Sequence, residues 1–400
     1  MAAEQLVSGF TLIARNTLKS TIAALALVFG VAAHAEFEPE KVGVSTQLPD
    51  PLPDHWVLVR DFGALGLSIE GRVLLIDPMG EQLGDQFKGM MTASFSAAFE
   101  YSSKRNEFYV AETFWSRGGR GGEQTDVVTI WDPRTLTVID EVVIPRGRLV
   151  GFPKRNVSGL IADDRFLGIY NFTPAQSVSI VDLEERKFVA EIPIAGCGLV
   201  VPNGARSFTS ICGNGTFRTT HLQADGSYEG ASTTDVLFDP EASPVFEMPL
   251  IANGTAYFVS YDAQVLPVDI RGEKIVAGAR WPLAQDASEA QWRPGGVNTH
   301  VQDSAGLGYV LMHPDGQEGT HNNGGNEVWV YDLASKKRLN RIALKTWGIT
   351  LGESGSGDRR FLYVTNTEQK IDLYRIPSGE HVKVLDVGAF SPYMFQGLQK

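Results

Sequence analysis

Seven short apolar runs along the chain each end in the same kind of tetrapeptide, and that recurrence leaves few architectures open. They are Leu75-Ile76-Asp77-Pro78, Ile130-Trp131-Asp132-Pro133, Ile180-Val181-Asp182-Leu183, Thr219-Thr220-His221-Leu222, Pro267-Val268-Asp269-Ile270, Val330-Tyr331-Asp332-Leu333 and Leu373-Tyr374-Arg375-Ile376. Counted from the third residue of each, the spacings are 55, 50, 39, 48, 63 and 43. A polar turn and a second alternating stretch follow, as in 137–144 and 187–192. Strand-like runs precede most of them, for example 107–110, 165–170, 255–259, 308–312 and 361–364, fronted by Gly/Asn/Asp turns such as Ala162-Asp163-Asp164-Arg165. Self-similarity of this kind with strand texture marks a radial repeat. The expectation is an all-β fold, a seven-bladed β-propeller of four-stranded antiparallel blades. One blade cannot bury both its faces, so neighbours stack and the ring closes the array. An open sandwich or two barrels would not require so regular a spacing.

The first 35 residues read as an address. Arg15 and Lys19 precede an apolar stretch from Ile22 to Ala33, and Ala33-His34-Ala35 is a small-x-small cleavage site. That pattern is a secretory signal peptide over 1–35, cut after Ala35, leaving 36–400 as the propeller domain of an exported, periplasmic protein. A retained membrane anchor would need about 18 apolar residues or more. Removing Glu4, Arg15 and Lys19 moves the formal net charge from −12 to −13. A chain so acidic does not seek nucleic-acid phosphates or anionic lipid.

Export governs the reading of the two cysteines. Cys197 and Cys212 flank the turn signal Pro202-Asn203-Gly204-Ala205-Arg206. A tight turn centred between Gly204 and Ala205 pairs positions whose numbers sum to 409, and 197 plus 212 is 409. The thiols would then face each other on neighbouring strands, and an oxidising compartment favours a structural bridge. The alternatives are a redox pair, which usually has Cys-x-x-Cys spacing, and a metal site, which needs more ligands.

Other chemistry is sparse. His300, His313 and His321 are separated by 13 and 8 residues, which matches no helix or hairpin ligand pattern. His313 and His321 are better placed to line or brace the polar insertion 314–326. The glycine run 118–122 lacks the strand-to-helix context of a phosphate loop and reads as an exposed loop, mobile or partner-contacting. Gly352-Glu353-Ser354-Gly355-Ser356-Gly357 lacks the last glycine of a nucleophile elbow. A chain of this size without a convergent nucleophile, base or metal cluster suits a scaffold whose chemistry sits on another subunit.

A resemblance sharpens this picture. The stretch Trp292-Arg293-Pro294-Gly295-Gly296, followed by His300, Leu307 to His313, Glu318-Gly319-Thr320-His321 and Glu327-Val328-Trp329-Val330-Tyr331-Asp332, resembles the heavy subunits of periplasmic quinoprotein amine dehydrogenases. The Leu-Met-His and Glu-Gly-x-His features look closer to the aromatic-amine branch than to the methylamine branch. Phe114 to Asp132, Tyr170-Asn171-Phe172-Thr173-Pro174-Ala175 and the Cys197 to Cys212 pair also follow the family, the pair at the position of its intrachain disulfide. The resemblance implies a heterotetramer of two propeller chains and two small disulfide-rich light chains. Tryptophan tryptophylquinone would reside on the light chain, with none on this one. Primary amines would be oxidised to aldehyde and ammonia, with electrons passed to a small copper protein such as amicyanin or azurin. The heavy chain would supply a docking face and part of the channel to the quinone at one end of its propeller.

Within that resemblance, Met90 or Met91 falls where the family carries a channel-lining aromatic near the start of the second blade. Arg117 lies in a loop glycine-richer than the family's, where docking would be altered. Met90, Met91, Arg117, His313 and His321 are therefore the expected partner- or channel-lining residues. The rival reading is a stand-alone periplasmic propeller that binds a ligand in its central channel or hydrolyses a lactone or ester there with a metal. A third is a family member recruited to another role, with the fold and the disulfide but no quinone partner.

Overall fold

The computed structural model describes residues 47–398 except 64–69, 96, 118–120, 146–153 and 273. These belong to a compact unit spanning 46–400. The segment read as a signal peptide lies outside the described residues, as do Gly118, Gly119 and Arg120 of the glycine run.

The chain is an all-β propeller. Its strands form antiparallel sheets in chain order, with Ala98–Ser102, Glu107–Trp115, Gln124–Asp132 and Thr137–Ile144 making a typical four-stranded one. Each of the seven tetrapeptides closes the third strand of such a group. Aspartate recurs there because its Oδ1 caps the following turn. Asp77 accepts from the Met79 N–H, Asp132 from Arg134, Asp182 from Glu184 and Glu185, Asp269 from Arg271, and Asp332 from Ala334 and Ser335.

Alternation along the strands sends successive side chains to opposite faces, and both faces are buried. Tyr109, Val128 and Ile130 pack with Leu167, Ile169 and Val181 of the next sheet, while Phe108, Val110 and Trp131 turn back onto Leu58, Val73 and Leu75 of the preceding one. The same handover continues through Phe208 and Leu222, then Phe258 and Val268, then Trp329 and Tyr331.

Two joints depart from the simple repeat. Strand Lys337–Ser354 runs for 18 residues, pairing first with Gly325–Asp332 and then, after a register shift, with Phe361–Asn366. It is the outer strand of one group and continues inward as the axial strand of the next, fusing them into one eight-stranded sheet. The second joint closes the ring. Strand Pro392–Gly397, from the C-terminal end, pairs with Val57–Asp61 and supplies the innermost strand of the first sheet.

Arg60 braces this closure. It is fully buried and donates to the carbonyls of Asp61 and Arg72 and, at the far end of the same sheet where the chain leaves for the next, to those of Ser94 and Phe95. Asp61, equally buried, accepts from the Phe390 and Ser391 N–H groups just before the closing strand and from Arg72 Nε.

Cys197 and Cys212 pair across their hairpin and form a disulfide. The route to that pairing differs from the tight turn expected. The turn is centred on Ala205, since Asn203 faces Ser207 and those numbers sum to 410. A bulge between Gly198 and Val201, with Leu199 at φ 68°, returns the sum to 409 at the cysteines.

Candidate docking groove at the crossover end

Strand direction alternates within each group, so the loops sort to two ends of the ring. The tetrapeptide turns and the first-to-second hairpins share one end, here the turn end. The second-to-third hairpins and the perimeter-to-axis crossovers share the other, the crossover end. Phe114, Trp115, Phe172, Val236, Trp347 and Phe390 are exposed there. Phe172 and Phe390 stand 55% and 66% open, although large apolar side chains are normally the first to be buried.

Two cavities at this end share a wall made by Pro244 and Tyr261. The first, about 670 Å³, is lined by Tyr170, Phe172, the Cys197–Cys212 bridge, Leu199, Ile211, Phe238 and Val245. Lys154 and Glu247 sit in its lining and pair with each other at 2.7 Å, so its charge is internally matched. The second, about 490 Å³, is polar, with Glu241, Asp262, Glu318, Arg293 and His321 in its lining. The Tyr261 ring lies flat on the His321 imidazole, centroids 4.3 Å apart. Burial and the Glu247 charge raise the Tyr261 hydroxyl above its ordinary pKa, so it stays neutral.

The residues singled out from sequence fall in different places. Arg117 is exposed on a crossover-end hairpin, and His321 is at the tip of the 314–324 insertion, in the polar cavity. His313 lies at the base of the same insertion, buried to 2%, with its imidazole held below its ordinary pKa chiefly by that burial. It lines neither cavity. Met90 and Met91 are not at the start of the second unit. They lie in Phe87–Ser94, the outermost strand of the first sheet, and strand alternation turns Met91 into the core while Met90 points off the perimeter. The residue where the second unit begins is Phe95, edge-on to Phe62 at 6.4 Å. Tyr261 was not singled out from sequence, although an aromatic at the centre of Ser260-Tyr261-Asp262-Ala263, a tight turn, is the signal that marks it.

Along the axis lies a smaller cavity of about 280 Å³. Glu100 there accepts from Ser158 Oγ at 2.9 Å, and Arg155 donates to the His300 carbonyl at 2.6 Å. Burial brings the Arg155 guanidinium down to about 10. His300 is itself fully buried. Its Nε2 donates to the Met248 carbonyl, which leaves Nδ1 to accept from Thr299 Oγ1. Among the described residues no group of three or more His, Cys, Asp and Glu side chains could hold a metal ion. Trp292 and Trp329 approach to 5.3 Å, but Trp329 is fully buried, donates to Glu327 and is capped by Arg338 and Arg341.

Fold and site together define a propeller with exposed apolar side chains at its crossover end. The family of methylamine dehydrogenase heavy chains matches residues 61–395, and the chain belongs to it. The heavy chain of Methylobacillus flagellatus is 26% identical over 287 residues, 70% of each chain. That of Paracoccus versutus is 24% identical over 283 residues, covering 70% of this chain and 66% of the relative. Among solved structures, the periplasmic gluconolactonase of Pseudomonas aeruginosa superposes with a TM-score of 0.59 over 85% of this chain and 98% of its own, at 17% identity. At that identity the likeness concerns the propeller alone.

Proposed function

We propose that this chain is the large, quinone-free subunit of an amine dehydrogenase. It is exported to the periplasm by a signal peptide cut after Ala35 and assembles two-and-two with a small light chain. Its ring has seven four-stranded blades, the fused eight-stranded sheet counting as two. Seven tetrapeptides and seven apolar clusters, each shared between neighbouring groups, support that count.

The observation that carries the reading is the family match over 61–395 on a chain that exposes Phe114, Trp115, Phe172, Trp347 and Phe390 at one end. Tryptophan tryptophylquinone on the light chain supplies the electron sink that takes a primary amine to aldehyde and ammonia, with a copper protein as acceptor. This chain's contribution is positional. Phe114, Trp115, Phe172 and Phe390 exclude water where the partner seats, and the braced loops behind them hold its orientation, the part of catalysis that sets effective molarity.

The test is co-expression with a small cysteine-rich light chain of the family, followed by purification, sizing and amine-dependent dye reduction. A two-plus-two assembly with quinone absorbance, and a heavy chain beginning at Glu36, are expected. A colourless monomer in the presence of that small chain refutes the reading.

A further inference from the structure

The crossover-end groove has a chemical gradient that specifies what fills it. Its floor over the Cys197–Cys212 bridge is apolar, and its one ion pair there, Lys154 with Glu247, is self-matched. Past Tyr261 the lining turns acidic. Glu241, Asp262 and Glu318 are exposed and have no salt bridge among the described residues, whereas Glu289 and Glu327 in the same part of the chain are each gripped by arginine. The guanidinium in that lining, Arg293, spends its Nη1 on the carbonyls of Ala290 and Trp292. Three carboxylates against one guanidinium leave the pocket at a formal −2.

We propose that this groove receives an extended segment of the light chain. That segment places a large apolar side chain over the disulfide, against Phe172 and Leu199, and a lysine or arginine beyond Tyr261 among Glu241, Asp262 and Glu318. The inference rests on the subunit reading above and names where and how the partner is gripped. The apolar half supplies the anchor, since a few well-seated large side chains carry most of an interface's energy. The acidic half supplies register and encounter rate, because complementary charge steers association. The stacked Tyr261–His321 pair between the halves is already ordered, so little freedom is lost when the segment docks.

The test measures light-chain affinity for the mature heavy chain at low and high salt. Phe172→Ser removes an exposed anchor and should weaken binding about tenfold or more at both salts. The double variant Glu241→Lys/Glu318→Lys should weaken it about tenfold or more at low salt and abolish most of the salt dependence. Glu185→Lys/Asp358→Lys makes the same change in net charge on exposed turn-end positions and should bind like wild type. All five sites are surface positions, so folding is not at stake. Groove variants that bind as tightly as wild type overturn the assignment of the groove while leaving the subunit reading standing. Failure of the wild-type chain to bind the light chain at all overturns both.

Discussion

Closing the ring with the last strand of the chain makes Phe395 a lever on the whole fold. The ring is 5% exposed, stacks on Tyr363 at 5.5 Å and 17°, and joins Val57, Val59, Leu74 and Leu373 in one cluster. Packing is close enough that a Cβ on Gly352 would fall 2.2 Å from Phe395 Cβ. Phe395→Ala strips about 150 Å² of apolar surface from that interface, about 4 kcal/mol at roughly 25 cal/mol per Å², within the range of about 3–5 measured for such truncations. With a urea m-value of about 3 kcal/mol/M, the midpoint should fall by about 1 M. Pulse proteolysis across a urea series reads that midpoint, with Phe390→Ala as control, because Phe390 is 66% exposed and its loss should shift it little. A further coupling of about 1 kcal/mol is expected in a double-mutant cycle with Tyr363→Leu. If Phe395→Ala and Phe390→Ala move the midpoint equally, the C-terminal strand is not the clasp described here.

Other expectations are equally direct. Replacing both Cys197 and Cys212 with serine opens a loop of 15 residues and should lower stability by about 3 kcal/mol, read as a urea midpoint that no longer responds to reductant. Burial, with the Arg155 charge beside it, lowers the His300 imidazole to about 3 from 6.5. The unfolded chain therefore takes up a proton below pH 6.5 that the folded chain refuses, so stability falls as pH drops from 6.5 towards 3, by about 2 kcal/mol between 6.5 and 5. His300→Gln should flatten the stability–pH profile by that amount, and an unchanged slope contradicts the assignment. Arg60→Met would remove the guanidinium donors from four carbonyls of the first sheet and its exit and should cost about 3 kcal/mol or more in thermal or urea unfolding.

Much of the architecture was legible because its punctuation is chemical. Aspartate after two apolar residues recurs since a capped turn must end each third strand, and even His221 and Arg375, which lack the cap, keep their place in the apolar pattern. The ring-closing strand was not legible. Pro392–Gly397 reads as one more short apolar run, and only the fold pairs it with Val57–Asp61, more than 300 positions earlier. The cysteine pairing was reached by a sum that ignored two compensating events, a longer turn and a bulge at Leu199.

At the site, Met91 shows the limit of local alignment, because one position along a strand decides whether a side chain meets the core or the perimeter. His313 and His321 stand eight residues apart in one insertion yet serve differently, since the loop between them carries one out of the sheet and leaves the other inside it.

The clasp has a temporal side. The axial strand of the first sheet comes from a stretch more than 300 positions after the strand it pairs with, so Val57–Asp61 waits for that stretch before the circle has its final seam. A nascent copy lacking 392–397 leaves Val57–Asp61 with one bare backbone edge. Such a chain stays open at that seam, and the circle sets into its finished shape only once 392–397 has arrived.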